Sequence, residues 1–285
     1  MSQSAELRIE LPHLALKARA WGDAALPPLV ALHGWLDNAG SFALLAPLLA
    51  SRFHVVALDL PGHGHSAHLP PGASYHFIDY ARAVLAAVDV LGLGNYTLLG
   101  HSLGAGVASL VAAAAPQRIE RLLLIEGLGP LGDDGTQTLQ RFRSALVPAA
   151  GMGRPLRRFR SIDQAISARS MASGLRGELA RPIVERGLRE IDGGWCWRSD
   201  PRLTRSSALR LDESQIRALL RGIDSPTTLL LAQPETPYLP GAMLAERAAC
   251  VGNIQVDHMA GCHHLHLEHP QAVAAWITAT NHPHP

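Results

Sequence analysis

Lysine is almost missing from this chain: 24 of its 25 basic residues are Arg, and Lys17 stands alone. In a sequence rich in Ala, Leu and Gly this reads as compositional bias, not as a functional signal. Cysteine is scarce and odd in number, Cys196, Cys250 and Cys262. Without a C-x-x-C pair, neither a disulfide framework nor a structural zinc site is indicated, and a reducing cytosol fits best. No segment holds eighteen uninterrupted apolar residues, and the opening MSQSAELRIELP lacks a basic stretch followed by an apolar one. A membrane span and standard secretion are therefore disfavoured, and a cytoplasmic location without stable membrane insertion is expected. A formal net charge of +1 gives no bulk attraction for nucleic acid.

What is present is a chain of 285 residues, 47% hydrophobic and 17% charged, long enough for one large domain with an inserted lobe. Charge and histidine are unevenly spread. Residues 130–222 carry 17 Arg against 10 Asp or Glu, a net of +7, which leaves −6 for the rest. Eight histidines lie between His13 and His101 and seven between His258 and His284, with none in the interval. Two end segments thus flank a chemically different middle.

The end segments alternate strand and helix patterns. ELRIEL (6–11) and LALKARAW (14–21) read as an antiparallel hairpin at a sheet edge. Short apolar runs follow at PLVALHG (28–34), HVVALDL (54–60), YTLLGHS (96–102), RLLLIEG (121–127), TTLLLA (227–232) and NIQVDHM (253–259). They read as buried parallel strands. Helical patterns separate them: SFALLAPLLASRF, YHFIDYARAVLAAVDVLGL, LGAGVASLVAAAA and HPQAVAAWITAT. The expected fold is α/β, a doubly wound, mostly parallel eight-stranded sheet. The alternation stops after Gly129, so residues 1–129 and 223–285 form the expected core, with 130–222 an inserted, mostly helical cap. The closing NHPHP reads as a frayed end.

GHSLG (100–104) matches G-x-S-x-G between a strand and a helix, where the motif needs to sit. A strand that turns at once into a helix strains the backbone at Ser102 and presents its hydroxyl, while Gly100 and Gly104 leave room for the close approach. A serine hydroxyl needs a base, and GCHHLHLEHP (261–270) follows the last strand. Together GHSLG, HGWLDN (33–38), DLPGHGHS (59–66) and this segment resemble the α/β-hydrolase fold family over the whole chain outside the cap. More narrowly, HGWLDNAGSF, LIEGLGP and WCWRSDPRL resemble the serine hydrolase-like proteins.

That resemblance implies His263 as base, five residues before Glu268 near Pro270, with His264 as runner-up. A metal reading of His263, His264, His266 and His269 is weak, because no pair has the i, i+4 spacing with Glu of a zincin. The third member must be a carboxylate that holds the imidazole tautomer. Two positions compete: Glu126 at the end of the strand before the cap, which we favour, and Glu235 in the loop AQPETPYLP after it. The resemblance assigns the oxyanion donors to the backbone N–H groups of Leu103 and Trp35. Asp59 and Gly62 read as turn residues, and His63 and His65 as structural. Trp195, Trp197, Leu36 and Leu265 are candidates for an apolar substrate pocket.

The expected function is hydrolysis of an ester-type bond in a small or medium hydrophobic acyl substrate, through an acyl-enzyme and without cofactor or metal. Dehalogenase and epoxide hydrolase chemistry needs a carboxylate in the elbow, which Ser102 does not supply. Thioesterase, lactonase or a non-catalytic ligand-binding protein on the same fold are the alternatives. The basic middle could steer anionic substrates such as acyl-CoA thioesters, or be a solvated Arg-rich face. The expected partner is a small-molecule acyl ester bound by a monomer or homodimer.

Overall fold

The computed structural model describes residues 4–147 and 157–279, so NHPHP lies outside the described residues. Eight strands form the main sheet: β1 (Ala5–Glu10), β2 (Ala15–Trp21), β3 (Pro28–Leu32), β4 (His54–Asp59), β5 (Tyr96–His101), β6 (Ile119–Ile125), then, after three short strands β7 (Arg158–Phe159), β8 (Leu188–Ile191) and β9 (Gly194–Trp197), β10 (Thr227–Gln233) and β11 (Ile254–Ala260). Their spatial order is β1-β2-β4-β3-β5-β6-β10-β11. The opening hairpin is antiparallel, β2 pairs antiparallel with β4, and every later pairing in this sheet is parallel.

The helices are α1 (Ala46–Leu49), α2 (Phe77–Val90), α3 (Leu103–Ala114), α4 (Thr138–Leu146), α5 (Ile162–Ser173), α6 (Gly177–Gly187), α7 (Glu213–Leu220), α8 (Gly241–Ala248), α9 (Leu265–Glu268) and α10 (Pro270–Ala279). They cover both sheet faces. Val84, Val107, Ile216 and Leu244 join one apolar cluster, from α2, α3, α7 and α8, whereas Phe42, Leu49, Val273 and Ile277 join the other. Strands β3 to β6 therefore bury both sides, which is why they read as continuous apolar runs.

Four expectations need correction. SFALLAPLLASRF is not one helix but a 3₁₀ turn at Ala39–Phe42 followed by the single turn α1, whose start coincides with Pro47. NIQVDHM is a parallel strand, but as an edge strand it leaves Gln255, Val256 and His258 exposed. The segment between β6 and β10 is not wholly helical: β7, β9 and β8 form a three-stranded antiparallel sheet, and LREI is its strand β8. On that sheet Trp195 and Trp197 pack with Phe159 and Val184 rather than lining a pocket, and Leu265 is buried in the second core cluster.

The parallel arrangement brings the loops after β3, β4, β5, β6, β10 and β11 to one edge of the sheet, where sites form in such folds. Asp59, at the end of β4, does more than make a turn. It accepts the N–H groups of Ala39 and His65 and a two-oxygen contact from Arg186 Nε, at 3.0 Å to each oxygen. Arg186 in α6 also reaches Glu6 on β1, at 2.7 and 3.0 Å. The insert is thereby tied to the sheet through a buried guanidinium.

Burial also fixes the charge state of several histidines. His33 donates from Nδ1 to the Gly34 carbonyl and accepts the Leu60 N–H at Nε2, a pairing that only the neutral ring can make. Desolvation holds His33, His63, His101 and His266 below the usual imidazole range, His63 and His266 at about 3. These groups bind protons in the unfolded chain below about pH 6.5 and in the folded chain only at lower pH. Their contribution is therefore complete above pH 6.5 and is lost as pH falls toward 3. Each gives a slope of up to about 1.4 kcal/mol per pH unit in that window. Urea titrations are expected to show a clearly lower midpoint at pH 5.5 than at pH 7.5; equal midpoints would mean that these rings are hydrated and free to charge.

Candidate active site

The turn from β5 into α3 is built on two glycines. A Cβ on Gly104 would fall on the carbonyl oxygen of Leu32 in β3, and one on Gly100 would lie 2.5 Å from the carbonyl oxygen of Gly104. With those atoms absent, α3 starts directly against the sheet. Ser102 takes φ 53° and ψ −115°, its N–H bonded to the Ile125 carbonyl and its own carbonyl accepting from Ala105 and Gly106. The residue is half-buried at the edge of a cavity of about 2420 Å³.

Among the described residues only three non-glycines have positive φ: Leu36, Ser102 and Glu126, at 58°, 53° and 55°. All three line this cavity. Strain of this kind persists only where the surroundings over-determine it, and it clusters at functional sites.

Glu126 closes β6. Its Oε1 accepts the Ala232 N–H at 2.6 Å, while Oε2 accepts from the Thr236 hydroxyl and from Nδ1 of His263 at 3.0 Å. Burial would push this carboxyl up, but the hydrogen bonds from His263, Thr236 and Ala232 outweigh it and hold Glu126 below the usual carboxylate range. The tautomer follows: a carboxylate only accepts, so His263 carries a proton on Nδ1 and leaves Nε2 free for the cavity. Glu235, the other candidate acid, is exposed and accepts the Gly241 N–H at 3.2 Å. The structure places Glu126, not Glu235, against His263. No direct hydrogen bond joins Ser102 to His263 among the described residues, and both open on the same cavity.

Leu103 is the first residue of α3 and Trp35 follows β3; their backbone N–H groups meet no acceptor among the described residues. The Trp35 side chain is half exposed and donates from Nε1 to the Leu203 carbonyl of the insert at 3.0 Å. Leu36 lines the cavity as expected.

The histidines of the last loop do not converge as a set. His263 faces Glu126, His264 lies 3.4 Å from Asp37, and His266 meets the Ser41 hydroxyl at 2.8 Å. Glu268 accepts the Cys262 N–H at 2.7 Å and so braces the loop. His101 is fully buried, and its Nε2 donates to the His263 carbonyl at 2.9 Å. Asp37 is fully buried and would be raised by desolvation, yet His264, Arg169 and His101 hold it well below the ordinary carboxylate range.

Sequence reasoning missed several of these residues. Asp37, His101 and Arg169 surround the back of the site, Thr236 fixes Glu126, and the Tyr238 ring stands edge-on to His263 at 5.2 Å. Asp37 stood within HGWLDN, but nothing local says that its partner is an Arg 132 positions away. Thr236 and Tyr238 lie within AQPETPYLP itself, where neither residue type announces its partner.

The alpha/beta hydrolase fold family matches residues 27–225. A zebrafish (Danio rerio) serine hydrolase-like protein is 30% identical over 96% of this chain and 87% of its own length. A probable serine hydrolase of Drosophila melanogaster is 33% identical over 95% and 86%. Among solved structures, a hypothetical protein of Pseudomonas aeruginosa PAO1 is 41% identical, with a TM-score of 0.89 over 96% of this chain and 98% of that one. The thioesterase domain of the curacin biosynthetic pathway shares the fold at 24% identity and a TM-score of 0.85, over 97% and 99%. The chain therefore belongs to the α/β-hydrolase fold family, in its serine hydrolase-like branch.

Proposed function

We propose that this protein is a serine hydrolase that cleaves an ester-type bond of a hydrophobic acyl substrate through an acyl-enzyme. The observation that carries the reading is the Glu126–His263 pair, with its free Nε2, opening on the same cavity as the strained Ser102. In this reading His263 takes the Ser102 proton as the hydroxyl attacks the carbonyl carbon, and Glu126 stabilises the imidazolium that forms. The Leu103 and Trp35 N–H groups, which have no other acceptor among the described residues, hold the oxyanion, and Leu103 adds the favourable end of the α3 dipole. The leaving alcohol takes the proton back from His263. Water, activated by the same ring, then releases the acid and restores Ser102.

In this reading the insert acts as a cap: its Leu131, Ala172, Leu203 and Leu209 line the cavity together with Leu103 and Tyr238. The volume of about 2420 Å³ exceeds the usual ~300–1,000 Å³ of a small-molecule site, which leaves room for acyl chains longer than those of short-chain esters. A thioester is the second reading. Arg205 and Arg210 line the cavity and make no ion pair among the described residues, which suits an anionic leaving group. No helix among the described residues is long and apolar enough to cross a membrane.

The test is a time course with p-nitrophenyl esters of increasing acyl length and with acyl-CoA thioesters, alongside an organophosphate challenge read by intact mass. Ester turnover with a single adduct is expected, and Ser102→Ala is expected to remove the adduct and to lower kcat by about 10⁴-fold or more. Unchanged hydrolysis in the purified variant would overturn the assignment of the nucleophile.

The acid is tested separately. Glu126→Gln keeps the shape but favours the wrong tautomer of His263, so kcat is expected to fall by about 10³–10⁴-fold, whereas Glu235→Gln stays within about twofold. The reverse order would return Glu235 to the triad.

A further inference from the structure

The loop after β11 supplies more imidazoles than the proposed reaction uses. His264 Nε2 lies 3.4 Å from Asp37 Oδ2, and His101 Nδ1 lies 3.9 Å from the same oxygen. The three donor atoms fall within 4.8 Å of one another, and all three residues are buried. A tetrahedral ion held at about 2.0–2.1 Å by nitrogen and oxygen sets its ligand atoms about 3.4 Å apart. Closing this triangle on an ion takes shifts of about an ångström.

Proton placement favours the same outcome. A carbonyl only accepts, so the bond from His101 Nε2 to the His263 carbonyl leaves Nδ1 as a bare lone pair. That atom is buried and meets no partner. An imidazole whose other N–H is held by a backbone carbonyl is the arrangement that orients metal-bound histidine. His264 Nε2 faces Asp37 Oδ2, which as a carboxylate only accepts, so in this structure that nitrogen carries the proton whose place a bound ion would take, while Nδ1 is buried and meets no hydrogen-bond partner. Arg169 holds Asp37 Oδ1, and Oδ2, which accepts the Ser41 hydroxyl at 3.3 Å, is the oxygen that faces the two imidazoles.

Room exists as well. Gly34 has no side chain, and a Cβ there would stand 2.9 Å from His101 Nδ1 and 3.3 Å from Asp37 Oδ2. Gly34, Asp37, His101 and His264 all line the cavity, which gives an ion a way in and a fourth position for water. Spacing within the last loop carries no metal signal because two of the three ligands, Asp37 and His101, come from other parts of the chain.

We infer that Asp37, His101 and His264 form a site for a late first-row divalent cation of the zinc or nickel type, and that its occupancy slows the hydrolase. Two imidazoles and one carboxylate suit such ions better than magnesium or calcium, which take oxygen ligands. The His101 ring lies 4.8 Å from that of His263. A dication on His101 opposes the imidazolium that His263 must become, so the bound ion lowers kcat and leaves KM little changed. This effect on turnover rests on the hydrolase reading, whereas binding does not.

The experiment is calorimetric titration of Zn²⁺ into the EDTA-treated full chain, with Co²⁺ absorption spectra in parallel. His264→Asn and Asp37→Asn are compared with His258→Asn, a change on the exposed edge of β11. One ion per chain is expected, with the strong visible absorption of low-coordinate Co²⁺. Affinity is expected to fall at least about tenfold in His264→Asn and Asp37→Asn and to hold in His258→Asn. Ester turnover is expected to become insensitive to Zn²⁺ in His264→Asn. Absence of a stoichiometric site in the unaltered chain, or a weak octahedral Co²⁺ spectrum there, overturns the inference whether or not the variants fold. So does unchanged affinity in a folded His264→Asn. A chain that binds one Zn²⁺ but, freed of metal, cleaves neither ester nor thioester overturns the hydrolase reading and leaves the site standing.

Discussion

The abrupt reversal between β5 and α3 is the constraint on which the rest of the structure depends. Gly104 must pass against the carbonyl of Leu32, so β3 and α3 are locked at a distance that no side chain could share. One consequence is the positive φ of Ser102, which points the hydroxyl out of the sheet edge. Another is the position of the Leu103 N–H at a helix start, and a third is the nearness of the Trp35–Leu36 turn, which leaves β3 beside it. The strain at Leu36 and Glu126 belongs to the same geometry, because all three chains leave neighbouring strands at one edge and bend toward a common point.

Two buried guanidinium–carboxylate contacts decide where the insert sits. Arg186 in α6 reaches Asp59 after β4, and Arg169 in α5 reaches Asp37 after β3. Such pairs add little net stability relative to apolar packing, but losing one partner strands a buried charge at a cost of about 3–5 kcal/mol. Their effect is registry. Asp37 lies two residues from Trp35, so the contact that docks α5 also fixes the turn that carries the proposed oxyanion donor. The cavity wall and the reacting edge are held by the same side chains.

Much of this was legible in the sequence because it is local. The continuous apolar strands, the elbow at Ser102 and the hairpin at the sheet edge each follow from a few adjacent residues. Glu126 was legible for a different reason, since a carboxylate ending a buried strand needs a partner, and His263 is that partner in space. What was not legible is non-local. Nothing in WCWRSDPRL distinguishes a strand that packs its tryptophans on Phe159 from a pocket wall, and Pro47 alone separates one helix from a broken pair of turns. The Asp37–Arg169 contact, spanning 132 positions, has no sequence signal at all.

Four imidazoles, those of His101, His263, His264 and His266, crowd the back of the site. His101 and His264 have ring centroids 4.8 and 5.3 Å from His263. Two positive charges about 5 Å apart repel by roughly 3 kcal/mol even at an effective dielectric near 20, so neighbouring imidazolium ions exclude each other. Burial keeps His101 and His266 neutral. His263 alone of this group pairs with Glu126 and is partly exposed to the cavity. The neutral rings can therefore donate to carbonyls and hydroxyls and shape the loop without competing for the proton, and the charge that develops during the proposed attack has one place to go. The neutrality of His101 leaves a lone pair at Nδ1 that meets no hydrogen-bond partner, so the burial that keeps a second charge away from His263 is also what makes the pocket behind it open to a cation.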